Sequence, residues 1–242
     1  MPGLGTLINV LGIIAGGIGG LIFGRFITRS MQQSLMIVLG ICCIFIAVQG
    51  ALSKMLIIEP DGSIETTGHM MLIFSLTIGT VIGELIDVEE KFERLGEFLK
   101  DKTGNEGDTR FINAFVTSSL TVAIGAMAIM GSIQDGIMGD YSILAVKALL
   151  DMIVIMIMTS VMGRGCIFSA IPVGVLEGSM TLLARLISPI FTEAALDNIS
   201  LSGSVLVLLV GVNIIRPRSI RVANMLPSIV LSVVWAYIPW VS

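Results

Sequence analysis

Apolar runs of about twenty residues recur along the whole chain, and they constrain the fold more than any other feature of the sequence. An α-helix needs about 20 apolar residues to cross the hydrocarbon core of a bilayer. The mean hydropathy is +0.97, and only 13% of the 242 residues are charged, roughly half the share that a soluble domain carries. The sequence therefore predicts an all-α fold, a polytopic bundle of transmembrane helices.

We predict about eight membrane spans in a single transmembrane domain over residues 1–242. Seven spans are the alternative, because the seventh apolar run is short and could be a re-entrant segment. The predicted spans are 5–27, 33–55, 70–88, 111–131, 143–163, 166–187, 203–215 and 222–240. The first run has neither a positively charged stretch before it nor a small-residue cleavage site, so we expect no removable signal peptide.

The basic residues predict how these spans are oriented. Eleven of the 14 Lys and Arg residues fall in alternate connections: Arg25, Arg29, Lys91, Arg94, Lys100, Lys102, Arg110, Arg164, Arg216, Arg218 and Arg221. The other connections are acidic, with the sequences EPDGSIE, QDGIMGD and FTEAALDN. Because Lys and Arg accumulate in cytoplasmic loops, we expect both chain termini on the outer side of the membrane.

The segment 88–100, VEEKFERLGEFLK, differs from the spans. Its apolar residues recur at helical spacing between charged ones, which predicts an amphipathic helix on the cytoplasmic interface. These apolar residues are Val88, Phe92, Leu95 and Leu99. The polar linker DKTGNEGDT follows the helix and divides the chain into two halves.

The two halves share a series of short sequence matches in the same order. They are Gly24-Arg25 with Gly163-Arg164, Gln49-Gly50 with Glu177-Gly178, Thr67-Gly68 with Ser202-Gly203, and Asn113 with Asn224. This order predicts an internal duplication, with a first repeat over 1–131 and a second over 132–242. Since each unit would hold four spans, both copies would have the same orientation, as in transporters built from parallel repeats.

Four glycines spaced by four residues form one face of the first predicted span. They are Gly12, Gly16, Gly20 and Gly24, and we call them the glycine face. Small residues let a second helix approach closely within a membrane. The glycine face is therefore a contact between two copies of the chain in a homodimer, a surface on which helices slide, or a close helix contact within one chain, and we favour the last.

Glu177 is the most deeply placed ionisable residue of the predicted spans. Ionisable groups are costly in lipid and tend to mark ion or substrate paths. Glu177 lies near the middle of the sixth span, and Pro172 five residues earlier can kink that helix. This arrangement suits a proton or cation site, and the alternative is a neutral, protonated Glu177 that is hydrogen-bonded to another helix.

Lys147 and Asp151 form a second candidate pair in the fifth span. They are four residues apart, so they share one face of the helix. Lys147 can extend outward to the membrane surface, whereas Asp151 cannot reach water alone. Asp151 therefore needs a partner, and the alternatives are a structural ion pair with Lys147, a helix terminus or a hydrated cavity.

Other kinds of chemistry find little support in the sequence. The three cysteines are Cys42, Cys43 and Cys166, which are not spaced like metal ligands, and His69 is the only histidine. We therefore expect no metal site and no cofactor. No nucleophile and base are evident for catalysis, so we expect no enzyme activity, and we expect the lipid bilayer rather than nucleic acid as the partner.

Several strings resemble a family of bacterial inner-membrane proteins, the YdfK/YqgA-like family, which is a domain of unknown function. They are IGAMAIMGSIQDGIMGDYSILAVKALLD, GRGCIFSAIPVGVLEG, RVANMLPSIV, GTLINVLGIIAGGIGGLIFG and IGTVIGELIDVEEKFERLG. The resemblance covers nearly the whole chain. It implies a multi-pass protein of the bacterial cytoplasmic membrane, and it supplies no substrate and no assigned site residue.

Together these features predict a transporter or channel for a small ion or solute, cation- or proton-coupled, with its path between the two repeats. The residues predicted to line the path are Asn113, Ser118, Lys147, Asp151, Glu177 and Asn224, with Gln134 and Asp135 at its outer mouth. The alternative is a non-transporting scaffold or regulatory protein that acts through the glycine face and the amphipathic helix.

Overall fold

The computed structural model describes residues 2–58, 61–102, 110–123, 126–216 and 219–238. Within these ranges the helices are α1 (Leu4–Phe23), α2 (Arg29–Met55), α3 (His69–Ile86), α4 (Val88–Lys102), α5 (Phe111–Ala123), α6 (Ala126–Met138), α7 (Ser142–Met162), α8 (Ala170–Ile187), α9 (Glu193–Ile215) and α10 (Pro227–Trp235). A short antiparallel hairpin pairs β1 (Leu56–Ile58) with β2 (Ile64–Thr66). The linker residues 103–109, together with Pro217 and Arg218, lie outside the described residues.

The helix lengths confirm the predicted polytopic, all-α bundle. Six segments are long and apolar enough to span a membrane: α1, α2, α3, α7, α9 and the segment Arg164–Leu186, which contains most of α8. The predicted fourth span is instead two helices, α5 and α6, bent by 62° relative to each other. If that pair counts as one span, the described residues hold seven spans, because the predicted eighth is only the short apolar segment Val222–Trp235.

The seventh span is not short, contrary to the sequence-based prediction. α9 begins at Glu193 and extends over 23 residues to Ile215. The hydroxyl of Thr192 caps its first turn by accepting a hydrogen bond of 3.2 Å from the backbone N–H of Ala195. Glu193 places a negative charge where the helix dipole favours it. The acidic sequence FTEAALDN therefore starts a helix, although its polarity is typical of a loop.

The glycine face of α1 packs against α7 of the same chain. A Cβ atom added at Gly16 would lie 2.2 Å from the carbonyl oxygen of Met152, and one at Gly20 would lie 2.4 Å from that of Met156. Gly12 and Gly24 approach Ala148 and Ser160 in the same way. The glycine face is therefore covered within the chain, so it is not available as a homodimer contact.

Helices α1 and α7 run in the same direction and define the two ends of the bundle. Gly5 lies against Leu144 near the start of α7, and Gly20 lies against Met156 near its end. We call the end that carries Arg25, Arg110 and Arg164 the basic end. We call the end at which α1 and α7 begin the opposite end.

The remaining long helices pack as antiparallel pairs. Gly40 of α2 lies against Gly211 of α9, and Gly50 lies against Ser204, seven residues earlier in α9. Gly83 of α3 lies against the backbone of Asn224, which belongs to the 3-10 turn before α10. The apolar core at the basic end is built around residues such as Phe111, Phe115, Met158, Leu206 and Val222.

The predicted amphipathic helix over 88–100 is present as α4. The chain leaves α3 at Asp87, which adopts a left-handed conformation with φ of 46°. Arg221 holds this junction, because it pairs with Asp87 and donates a 2.9 Å hydrogen bond to Glu84. Gly96 and Leu99 of α4 are buried, and Gly96 lies against Phe115 of α5. The apolar face of α4 is thus partly covered by the chain itself.

The predicted four-plus-four repeat stays a prediction. One of the four matches does not mark corresponding positions, because Gly68 caps the start of α3 whereas Ser202 and Gly203 lie in the interior of α9. Another match does mark corresponding positions, because Gly24 follows the end of α1 and Gly163 follows the end of α7.

The contact between α1 and α7 predicts that alanine substitutions of Gly16 and Gly19, two glycines of α1, differ in their effect on stability. Gly16→Ala would push a methyl group into the backbone of α7, and overpacking of this kind costs about 1–3 kcal/mol. Gly19→Ala is the matched control, because its Cβ would meet only the flexible end of Met156, at 3.2 Å. Thermal unfolding of the purified protein in detergent should show a lower transition temperature for Gly16→Ala only. Equal transition temperatures for the two variants would contradict this packing.

Candidate functional site

Lys147 lies at the centre of a group of buried polar side chains. Its ammonium forms an ion pair with Asp151, one turn further along α7. The ammonium also lies 3.6 Å from Oε1 of Glu177 on α8 and donates a 2.7 Å hydrogen bond to the carbonyl of Val122. That carbonyl lies one residue before Ala123, the last described residue of α5. Lys147 therefore joins three helices.

Asn9 of α1 completes this group. Its Nδ2 donates a 2.7 Å hydrogen bond to Oε1 of Glu177. Asn9 and Glu177 have no exposed surface, and Lys147 and Asp151 are 6% and 7% exposed. We call Asn9, Lys147, Asp151 and Glu177 the charge cluster. The two candidate sites predicted from the sequence are thus one site in the structure.

The charge cluster contains more negative than positive groups. When all three ionisable side chains are charged, the carboxylates of Asp151 and Glu177 face the single ammonium of Lys147, which leaves one excess negative charge. Isolating charge from water is costly, and an ion pair offsets that cost only when its charges and hydrogen bonds are matched. Binding of one proton or one monovalent cation would make the charge cluster neutral.

Two oxygen atoms of the charge cluster have no hydrogen-bond donor. They are Oδ1 of Asn9 and Oε2 of Glu177, and both belong to fully buried side chains. Buried polar atoms are nearly always hydrogen-bonded, so an unpaired one calls for an explanation. Both atoms are acceptors, so what they lack is a donor or a cation.

The surroundings of the charge cluster differ between its two sides. One turn toward the basic end, a layer of Ile13, Ile155 and Val173 occupies the equivalent positions on α1, α7 and α8, and we call it the apolar layer. One turn toward the opposite end, the hydroxyls of Thr6 and Thr181 lie 3.4 Å apart. The charge cluster is therefore followed by apolar side chains on one side and by hydroxyls on the other.

Two sequence-based expectations about these helices are wrong. Lys147 does not extend outward to the membrane surface, because three oxygen atoms hold its ammonium inside the bundle. Pro172 does not kink α8, because that helix begins at Ala170 and Pro172 therefore lies in its first turn, where proline is tolerated.

Asp135 is not at an open outer mouth. It lies on α6, since the predicted loop sequence GSIQDGIM is helical, and it has no exposed surface. Its Oδ2 accepts hydrogen bonds of 3.0 Å from the backbone N–H groups of both Gly3 and Gly5. The carboxylate thus caps the start of α1, whose N-terminal N–H groups favour a negative charge. Gln134 precedes it on α6 and is half-buried.

Asn224 and Ser118 do not contact the charge cluster. Asn224 is buried, and its Oδ1 accepts a 2.7 Å hydrogen bond from the backbone N–H of Glu89 in the first turn of α4. Ser118 donates a 3.2 Å hydrogen bond to the carbonyl of Phe115 in its own helix. These contacts stabilise the helices locally.

Asn113 lines a small cavity toward the basic end. Glu89, Glu93 and Asn213 line the same cavity, whose volume of about 30 Å³ is enough for a water molecule. Burial raises the pKa of Glu89 above its usual value. The predicted path residues therefore occupy three separate places: the charge cluster, the start of α1 and the region around α4.

A large groove with a volume of about 1010 Å³ has no residue of the charge cluster in its lining. Most of its lining side chains are apolar and belong to α4, α5, α8 and α10, such as Leu95, Leu120, Val175 and Ile229. Such a groove suits lipid chains rather than an ion. Among the described residues, no three His, Cys, Asp or Glu side chains are placed to share a metal ion.

The spacing of polar residues in the sequence indicates three residues that the predicted path omits: Thr6, Asn9 and Thr181. Thr6 and Asn9 are three residues apart on α1, and Glu177 and Thr181 are four apart on α8. These spacings place each pair on one helix face. Which faces of α1 and α8 meet is not visible in the spacing.

Comparison with known proteins places the chain in a family. Residues 4–237 match the family described as "Protein of unknown function (DUF554)". The chain belongs to this family. The match covers almost the whole described bundle and confirms the resemblance seen in the sequence.

Two relatives align with the chain over nearly their whole length. "Uncharacterized membrane protein YdfK" of Bacillus subtilis (strain 168) is 27% identical over 227 residues, which are 94% of this chain and 93% of the relative. "Uncharacterized protein YqgA" of Escherichia coli (strain K12) is 23% identical over 236 residues, or 95% and 94% of the two chains. No solved structure matches the chain significantly. The family and the apolar helices together establish a multi-pass membrane protein.

The contacts of Lys147 predict how its removal affects stability. Lys147→Met leaves Asp151 buried without its ion-pair partner, which should cost about 3–5 kcal/mol. The double variant Lys147→Met with Asp151→Leu removes both charges and should be more stable than Lys147→Met alone. Thermal unfolding of the two variants in detergent measures this coupling. Strictly additive effects would show that the two side chains do not depend on each other.

The cap on α1 predicts a second effect on stability. Asp135→Ala removes the acceptor of two backbone N–H groups and should cost about 1–2 kcal/mol, as for other helix caps. Gln134→Ala on the same helix is the control, and it should stay within about 0.5 kcal/mol of the parent protein. Protease susceptibility near the N-terminus should increase for Asp135→Ala alone. Equal susceptibility of both variants would argue against the cap.

Proposed function

We propose that this protein is a transporter or channel for a small ion or solute, cation- or proton-coupled, and that the charge cluster is its binding site. The observation that carries the proposal is a set of three ionisable side chains in the centre of an apolar bundle, with an excess negative charge and two unpaired acceptor oxygens. Ionisable groups inside membrane spans most often serve ion paths, proton relays or substrate binding.

The position of the charge cluster supports this proposal. Asn9 and the Val122 carbonyl come from the first sequence half, whereas Lys147, Asp151 and Glu177 come from the second. The binding site would thus lie where the two halves meet, as in other transporters. The proposal does not require that the halves be true repeats.

The bend between α5 and α6 also supports transport. Helices that are interrupted inside the membrane expose backbone groups, and transporters use such groups to hold ions. Here the carbonyl of Val122 at the end of α5 binds the ammonium of Lys147. A change of charge in the cluster would therefore act directly on the end of a helix that is bent by 62° relative to its continuation.

The closed surroundings of the charge cluster favour a transporter over an open channel. Its side chains are at most 7% exposed, and the apolar layer separates it from the basic end. Transport would then require a conformational change that opens the site to each side in turn. We propose that the basic end faces the cytoplasm of a bacterial cell, as Lys and Arg placement suggests. We also propose that both chain termini face outward, because the short segment Val222–Trp235 leads the chain back to the opposite end, where the Tyr237 hydroxyl donates a hydrogen bond to the Ile190 carbonyl.

The alternative scaffold role loses one of its two motivating features, because the glycine face is covered by α7. The other feature remains, since α4 packs against α5 through Gly96 but keeps Leu95 and Phe98 exposed. The proposed function includes no catalytic step, no cofactor and no nucleic acid.

Flux measurements test the proposal. The purified protein, reconstituted in liposomes, should carry ions under a gradient of H⁺, Na⁺ or K⁺, and Asp151→Asn or Glu177→Gln should reduce the flux to the background of empty liposomes. Asp197→Asn is the control, because Asp197 is exposed and pairs with Lys54 at the opposite end. The proposal fails if no gradient drives a flux, or if both cluster variants carry ions as well as the parent protein.

A further inference from the structure

We propose that the charge cluster binds a proton rather than a metal cation, that Glu177 accepts it, and that the proton arrives from the opposite end past the hydroxyls of Thr6 and Thr181. This inference rests on the proposed transport function and names its ion. It also assigns a side of entry, which neither the family nor the sequence supplies.

The ammonium of Lys147 occupies the place that a metal cation would need. It already contacts the Asp151 carboxylate and the Val122 carbonyl and lies 3.6 Å from Oε1 of Glu177. A Na⁺ ion would have to displace this resident cation and would still find few oxygen ligands. A proton needs only one acceptor atom, so it can neutralise the excess charge without moving Lys147.

Glu177 is the acceptor because one of its oxygens is unpaired. Asp151 contacts Lys147 directly, and Oε1 of Glu177 already accepts a hydrogen bond from Asn9. Oε2 of Glu177 has no partner, and the side chain has no exposed surface. A proton on Oε2 makes Glu177 a neutral carboxylic acid, whose O–H group can donate a hydrogen bond.

The other charged groups around Glu177 are few. Its titratable neighbours on the helices packed against α8 are Lys147 and Asp151 of α7 and Asp135 of α6, which caps α1. α1 and the described α5 contain no titratable side chain, and Arg185 of α8 itself is exposed. The charge of Glu177 is therefore balanced chiefly by Lys147, for which it competes with Asp151.

The polar side chains place the entry route at the opposite end. Thr181 lies four residues, about 6 Å, from Glu177 along α8, and its hydroxyl is 3.4 Å from that of Thr6. Asp135, at the start of α1, continues this series with a buried oxygen that has no partner, Oδ1. In the other direction the apolar layer contains no group that can accept or donate a proton.

The proton balance of the step is simple. A hydronium ion at the opposite end loses one proton and becomes water. Each hydroxyl of the Thr6–Thr181 pair accepts a proton and releases its own, and one O–H bond forms at Oε2 of Glu177. Because Oε2 has no hydrogen-bond partner, this last transfer requires a side-chain rotation that brings the Thr181 hydroxyl to it. Release to water at the basic end breaks the new O–H bond and requires the apolar layer to open. An ionised Glu177 attracts the ammonium of Lys147 more strongly than a protonated Glu177 does. This attraction would change the hydrogen bond between Lys147 and the Val122 carbonyl near the end of α5.

Infrared spectroscopy of the purified full-length protein during pH titration tests the site of protonation. All 18 Asp and Glu side chains contribute to the carboxylic-acid band on acidification, so each variant is compared with the parent protein by difference. The parent protein should have a component of this band that is missing in Glu177→Gln and kept in Glu84→Gln, whose parent side chain pairs with Arg221 at an exposed position. Replacing KCl by NaCl should leave the titration midpoint of this component unchanged. A Glu177→Gln spectrum that lacks no such component, or a midpoint that shifts with Na⁺, would overturn the inference.

The entry route is tested by the rate of protonation after a rapid pH change. Thr181→Val should slow the appearance of the Glu177 band by roughly tenfold, the factor that corresponds to about 1.4 kcal/mol of barrier. Thr121→Val is the matched control, because the hydroxyl of Thr121 bonds to the carbonyl of Thr117 in its own helix. Equal rates for the two variants would overturn the route.

The flux assay separates failure of this inference from failure of the proposed function. Flux that follows a Na⁺ gradient and ignores a pH gradient leaves the transport proposal in place and contradicts the proton. Flux that follows the pH gradient and is lost in Glu177→Gln supports both. No flux under any gradient contradicts the transport proposal itself.

Discussion

The ammonium of Lys147 is the interaction on which the interior of the bundle depends. It is held by the end of α5, by Asp151 on its own helix and, at 3.6 Å, by Glu177 on α8. In an apolar bundle a single lysine is costly, but here it offsets one of the two carboxylate charges and donates a hydrogen bond to the Val122 carbonyl. Removing it would leave Asp151 without its ion-pair partner and the Val122 carbonyl without this donor, whereas Glu177 would keep only its hydrogen bond from Asn9.

Close contact between α1 and α7 allows the residues of the charge cluster to meet. The glycine face brings the two helix backbones together, and this places Asn9 against Glu177 on the neighbouring α8. A bulkier face on α1 would move Asn9 away from its acceptor. The hydrogen bond between Asn9 and Glu177 therefore depends on the packing of the glycine face against α7.

The asymmetry around the charge cluster is the basis for the direction of proton entry proposed here. Hydroxyls and the Asp135 cap follow it toward the opposite end, while the apolar layer follows it toward the basic end. The bent pair of α5 and α6 borders this arrangement, because the Val122 carbonyl lies in the last turn of α5. A proton on Glu177 would thus change the charge at the point where a helix end can respond.

The sequence by itself determined that the chain is a multi-pass membrane protein, since runs of about 20 apolar residues have no other stable environment. It also determined that α4 is amphipathic and that Lys147 and Asp151 share a helix face, because helical periodicity is local. Only the tertiary structure decided that the glycine face meets α7, that Asp135 caps α1, and that Asn9 and Glu177 join the Lys147–Asp151 pair. These contacts join residues up to 168 positions apart, and which helix faces meet depends on the packing of the whole bundle.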